Sequence, residues 1–251
     1  MPNHSLDVTV ADRAGAARTL ALEVAQEMDA ARAAGRRFVI ALAAGSSPLG
    51  LYAELVDLHA KGELDGSHLV TFNLDEYLEL GENRDKSFGH WTQEHFLDRI
   101  NISPENVHAP PADLRRDDVS AFARDYERSI QAAGGLDLAI LGIGRNGHIA
   151  FNEPGSARDS RTREVELEGV TRADAAAAFG SMEQVPLRAV TLGIADILAA
   201  RRILVLAFGE SKRECVHATL HGEVGPRVPA SFLREHPNVR MFVDAPAMGR
   251  S

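Results

Sequence analysis

The stretch Phe38-Val39-Ile40-Ala41-Leu42, followed by Ala43-Ala44-Gly45-Ser46-Ser47-Pro48 and then by Leu51, Leu55 and Leu58, decides the fold. Five apolar residues in a row, bounded by Arg36-Arg37 and a glycine loop, read as a strand buried on both faces. The three- to four-residue spacing that follows reads as a helix packed back onto it. The pattern recurs along the chain. Short apolar runs at His68 to Phe72, Leu136 to Leu141, Ile203 to Phe208 and Val239 to Val243 alternate with helical stretches. Upstream, Asp12 caps an alanine-rich helix whose inner positions are Ala17, Leu20, Val24, Met28 and Ala31, and Gly35 ends it. The sequence therefore predicts an α/β fold: an open, mostly parallel Rossmann-like sheet with helices on both faces.

Composition narrows the function. The chain has 251 residues, of which 45% are apolar and 25% charged, enough to bury a full core. No linker-like stretch or repeat interrupts it, so a single domain over residues 1–251 is expected. Nothing approaches the roughly 20 apolar residues of a membrane span. Met1 to Ser5 carry neither a basic region nor an apolar run, and a cytoplasmic location is expected. The lone Cys215 permits no internal disulfide and no thiolate zinc cluster. A net charge of −9 repels nucleic acid and anionic membranes, so neither is expected as a partner, and an anionic ligand needs a local site. His217 and His221 stand four apart, as zinc ligands can, but no third ligand accompanies them; His90 and His95 fail for the same reason. No metal is expected.

In open parallel sheets ligands bind beyond the carboxyl ends of the strands. After the first apolar run, Gly45-Ser46-Ser47 leads into a helix start, where close backbone approach, hydroxyls and unpaired N–H groups suit an anion. After the second comes Asn73-Leu74-Asp75-Glu76-Tyr77, whose carboxylates are candidates for a general base. After the third comes Gly142-Ile143-Gly144-Arg145-Asn146-Gly147-His148-Ile149-Ala150-Phe151-Asn152-Glu153-Pro154. Its first six residues match the dinucleotide fingerprint GxGxxG, but Pro154 follows too soon for the helix that motif requires. What remains is a glycine loop, with Gly144 inside it, presenting Asn146, His148 and Glu153: an imidazole with a polar orienter and a carboxylate. After the fourth run, Gly209-Glu210-Ser211-Lys212 brings an ammonium to another helix start.

Taken together, Thr71 to Tyr77, Leu141 to Gly155, Ser160 to Arg163 and Val228 to Leu233 resemble the glucosamine-6-phosphate deaminase family, within the fold group that also holds 6-phosphogluconolactonases. The Phe151-Asn152-Glu153-Pro154 segment is similar to the deaminase branch, where the lactonase branch carries Ser-Leu-Phe-Pro. The resemblance implies conversion of an amino-sugar phosphate and water into fructose 6-phosphate and ammonium, with no cofactor and possible homo-oligomers. It implies that Asp75 moves the C2 proton and that His148, oriented by Asn146 and Glu153, opens the sugar ring. It places the phosphate on Gly45, Ser46, Ser47 and Lys212, with Glu76 supporting the loop, and Glu76, Gly144 and Arg172 are expected to complete the substrate-binding set. The alternatives are a sugar-lactone hydrolase and a non-catalytic sugar-phosphate sensor.

Two positions depart from the family pattern. Asn146 replaces a frequent aspartate, and Ala177 stands where a phosphate-binding arginine is usual. A charged hydrogen bond contributes on the order of 1.5–3 kcal/mol, so the missing arginine corresponds to one to two orders of magnitude in affinity. Arg172 and Arg163 are the nearest replacement cations, although five residues of helix turn Arg172 roughly 140° away from Ala177.

Overall fold

The computed structural model describes residues 6–250; the Met1 to Ser5 stretch discussed above lies outside them. The elements run β1 (Asp7–Val10), α1 (Arg13–Ala33), β2 (Phe38–Leu42), α2 (Leu49–Ala60), β3 (Leu69–Asn73), β4 (Asp75–Tyr77), α3 (Phe88–His95), β5 (Val107–His108), α4 (Val119–Ala132) and β6 (Leu138–Gly142). They continue with β7 (Arg163–Glu166), α5 (Gly169–Phe179), β8 (Arg188–Thr191), α6 (Ile194–Leu198), β9 (Arg202–Ala207), α7 (Arg213–His221) and β10 (Val239–Val243). Seven strands form one sheet in the order β1-β10-β9-β6-β2-β3-β5, and every pairing in it is parallel.

Alternate residues of the central strands enter two separate cores, as a pleated strand requires. Phe38, Ile40 and Leu42 pack against α1 and α2, while Val39 and Ala41 share a core with Tyr126 and Ile130 of α4, Ile197 of α6 and Val216 of α7. Both faces are therefore covered, which is why the strands read as unbroken apolar runs. The α1 start is fixed by the Asp12 carboxylate, which accepts from the Gly15 N–H at 2.8 Å.

The chain winds from β2 outward to β3 and β5 on one side, and later returns to lay β6, β9 and β10 on the other. The loops after β2 and β6 thus diverge and leave a crevice at the carboxyl edge of the sheet. A second, antiparallel sheet, β4-β8-β7, stands beside that edge. The five predicted strands all form, Phe38–Leu42 and Val239–Val243 with the expected ends and the other three shifted by one or two residues; β1, β5 and the second sheet are additions to the sequence reading. The alanine patch Ala175 to Ala178 falls inside α5. Among the described residues, no helix is long and apolar enough to cross a membrane.

Candidate active site

A cavity of about 430 Å³ occupies the crevice. One end is built by the loop after β2. Gly45 has φ +98°, a left-handed conformation that a side chain would strain, and it turns the chain so that Ser46 and Ser47 lead into α2. Among the described residues no carbonyl accepts from the N–H groups of residues 45–47. They and the α2 start therefore offer donors to an anion. Lys212, in the turn between β9 and α7, lines the same cavity. Burial lowers its pKa, against the raising pull of Cys215 and Asp174. A desolvated ammonium attracts an anion more strongly than a hydrated one.

The second wall is β4. Successive side chains of a strand point to opposite faces, so Asp75 and Tyr77 face the cavity and Glu76 faces away. Asp75 is buried, and burial first, then the Glu76 charge, pushes its pKa well above the ordinary carboxylate range. Among the described residues no hydrogen bond counters that rise. Glu76 is 0% exposed and its carboxylate accepts four bonds: from Tyr77 N (2.9 Å), Phe88 N (3.0 Å), Gly89 N (2.9 Å) and Ser87 Oγ (2.8 Å). It pins the start of α3 and is not itself among the residues that line the cavity. The inclusion of Glu76 among substrate-binding residues is thereby corrected by the strand pleat.

The third wall is the loop after β6. His148 Nδ1 lies 3.3 Å from Glu153 Oε2. The Asn146 amide donates to Glu153 Oε2 (2.7 Å) and to Glu168 Oε2 (2.8 Å), while its Oδ1 accepts from the His148 backbone N–H (3.2 Å). Burial raises the Glu153 pKa, but bonds and charge from His148, with bonds from Thr171 and Asn146, outweigh it and leave the group below its ordinary value. Gly144 is obligatory here: a Cβ on it would sit 2.2 Å from His148 Cε1, so the ring lies directly on the glycine backbone. Between the walls, Tyr77 packs in a ring cluster, tilted against Phe88 and Phe151 and edge-on to Phe179, at centroid distances of 4.9, 5.3 and 5.2 Å. All four rings line the cavity.

The structure thus brings Gly45, Ser46, Ser47, Asp75, Gly144, His148 and Lys212 together around one space, with Asn146 and Glu153 behind His148. It does not bring Arg172. That guanidinium donates to the carbonyls of Met182 (2.8 Å) and Val185 (3.2 Å), which tie down the turn after α5, so the expected phosphate contact is corrected. Arg163 is likewise engaged, with Asn152 Oδ1 and Ser156 Oγ, both at 2.9 Å. Sequence reasoning overlooked Thr171, on the first turn of α5, and Lys86, just before α3; both line the cavity. Neither follows a strand of the main sheet, which was the signal used.

A parallel sheet whose strand ends join an anion cradle to a buried carboxylate and an imidazole–carboxylate pair defines an enzyme that moves protons on a small anionic substrate. The family model for glucosamine-6-phosphate isomerases/6-phosphogluconolactonase matches residues 11–241, and the chain belongs to that family. It is 43% identical over 209 residues to the glucosamine-6-phosphate deaminase of Halothermothrix orenii, covering 83% of this chain and 86% of that one. It is 46% identical over 210 residues to glucosamine-6-phosphate deaminase 1 of Giardia intestinalis, covering 83% and 78%. The solved structure of a monomeric glucosamine-6-phosphate deaminase superposes with a TM-score of 0.92 at 34% identity, covering 98% of this chain and 100% of that one.

Proposed function

We propose that this chain converts glucosamine 6-phosphate and water into fructose 6-phosphate and ammonium. The observation that carries the reading is the placement of Asp75 and the His148–Glu153 pair on two walls of a cavity whose end is the Gly45–Ser47 cradle with Lys212. With the phosphate on the cradle, C1 and C2 of the sugar lie between the two walls.

His148 takes the proton of the C1 hydroxyl and returns one to the ring oxygen. The C1–O5 bond breaks and the C1 aldehyde forms. Asp75 then removes the C2 proton while the C1 oxygen takes one from the C2 ammonium group, giving an enolamine. Its raised pKa makes it a stronger base than an exposed aspartate. The same carboxylate delivers the proton to C1, the adjacent carbon, so one base serves both positions. The double bond moves to C2 and nitrogen, water adds at C2, and ammonium leaves. The protons of that water pass to the departing nitrogen as the C2 carbonyl forms. A lactone hydrolysis would give Asp75 no carbon-bound proton to take.

The test is to follow ammonium and ketose formation from glucosamine 6-phosphate, beside its galacto epimer and 6-phosphogluconolactone. Stoichiometric ammonium and fructose 6-phosphate from the gluco sugar are expected. Hydrolysis of the lactone alone would overturn the reading.

A further inference from the structure

The start of α5 is fastened to the acid/base pair. The Glu168 N–H, at the N-cap of α5, donates to Glu153 Oε1 at 3.1 Å. One turn further on, Thr171 is 6% exposed and its Oγ1 lies 3.3 Å from His148 Nδ1, the nitrogen that is also 3.3 Å from Glu153 Oε2. The Thr171 hydroxyl also contributes to holding the Glu153 carboxylate below its ordinary pKa.

Donor and acceptor counting fixes the directions. An ionised carboxylate only accepts, and a hydroxyl has one proton to give and lone pairs to receive. Nδ1 beside that carboxylate therefore carries its proton, the Thr171 oxygen shares the Nδ1–H with Glu153, and the Thr171 O–H is free to turn toward the carboxylate. Both contacts to Nδ1 are at the long end of hydrogen-bond geometry, so neither alone holds the ring firmly. The second ring nitrogen, Nε2, is left unprotonated and able to take a proton.

We infer that Thr171 is a positioning residue: its hydroxyl holds the His148 imidazole and the Glu153 carboxylate in register for ring opening, and links that register to α5. The inference rests on the proposed role of His148, and it is tested in a way that separates the two. Thr171→Val keeps the shape and removes the hydroxyl; Thr171→Ser keeps the hydroxyl. Thr171→Val should lower kcat on glucosamine 6-phosphate about tenfold with little change in KM, roughly the worth of one hydrogen bond, and Thr171→Ser should recover to within about twofold. In a Glu153→Gln background the valine substitution should cost less than about twofold, because the partner it acts through is already altered. Equal impairment of the Val and Ser variants, or a full tenfold loss in both backgrounds, would overturn it.

A measurement independent of turnover completes the test. In protein labelled with 15N-histidine, the His148 Nδ1–H resonance, assigned by its disappearance in His148→Gln, should be protected from water in the natural protein and in Thr171→Ser. It should be lost to exchange in Thr171→Val. Its survival in the valine variant would sink the role of Thr171 even if no ammonium were ever released, whereas a protected proton in an inactive natural protein would count only against the deaminase reading.

Discussion

Asp75 and Glu153 are both buried carboxylates at the same edge of the molecule, yet their acidities are driven in opposite directions. Asp75 projects from β4 into the cavity with no donor on it among the described residues, and burial lifts its pKa. Glu153 is equally withdrawn from water but receives His148, Thr171 and Asn146, and stays ionised more readily than a free glutamate. A group that must take a proton from carbon gains from isolation. A group that must steady an imidazolium gains from partners. The two walls of one cavity are thus prepared by different physical means.

The largest effect is expected from Asp75→Asn, which removes the isolated base. Turnover should fall by roughly 10²–10⁴-fold while ligand binding persists. In the natural protein the acid limb of the rate profile should lie above the ordinary aspartate value of about 3.9, because Asp75 must be ionised to act and its pKa is raised. Stability carries the opposite sign. A raised folded-state pKa favours the fold below the unfolded value and loses that advantage as pH rises through the folded one. Asp75→Asn should therefore melt at a higher temperature than the natural protein at pH 8 and at the same temperature near pH 3. An unchanged or lower Tm at pH 8 would remove the argument from isolation.

Gly144→Ala attacks the other wall. The new methyl overlaps the His148 ring, at 2.2 Å from Cε1. The ring must swing away from Glu153, and kcat should fall about 100-fold with the cradle still able to bind inorganic phosphate. Normal turnover would mean that the ring is not held as described.

Asn146→Asp should cost about tenfold, since a third carboxylate would face Glu153 and Glu168, which now share the two N–H donors of the amide. Adding Glu168→Gln should restore part of the loss; no restoration would show that Glu168 has no share in holding the pair. An effect of the same size, on KM and not on kcat, belongs to neither wall. Ala177→Arg, on the exposed side of α5, should lower KM for glucosamine 6-phosphate about tenfold with kcat nearly constant, by offering a second cation to the phosphate. An unchanged KM would mean that the cradle and Lys212 already satisfy the phosphate.

The central sheet was legible because its strands are buried on both faces and therefore apolar throughout, as Phe38–Leu42 shows. The loops after those strands drew attention to Gly45, Asp75, His148 and Lys212 for the same reason. The second sheet was not legible. Asp75-Glu76-Tyr77 and Arg163-Glu164-Val165-Glu166 are three and four residues long and mostly polar, and only their pairing with β8 makes strands of them. Thr171 was missed because a threonine in the first turn of a helix carries no mark of what it faces. Arg172 drew attention as a cation near the phosphate-arginine position, but the carbonyls of the turn after α5 claimed it.

The pairing of β4 with β8 sets Asp75 opposite Thr191, Glu76 opposite Val190 and Tyr77 opposite Ala189. Two acids in succession on a three-residue ribbon make the identity of the base a matter of parity. Sliding that ribbon by one residue would deliver the Glu76 carboxylate to the cavity and turn Asp75 toward the α3 start, where its shorter side chain could not reach the same four donors. A single inserted or deleted residue between β3 and β4 would therefore be felt as an exchange of chemical roles, not merely as a change of loop length. The four bonds that hold Glu76 double as a lock on that register, so the carboxylate that takes no part in the chemistry determines which one does.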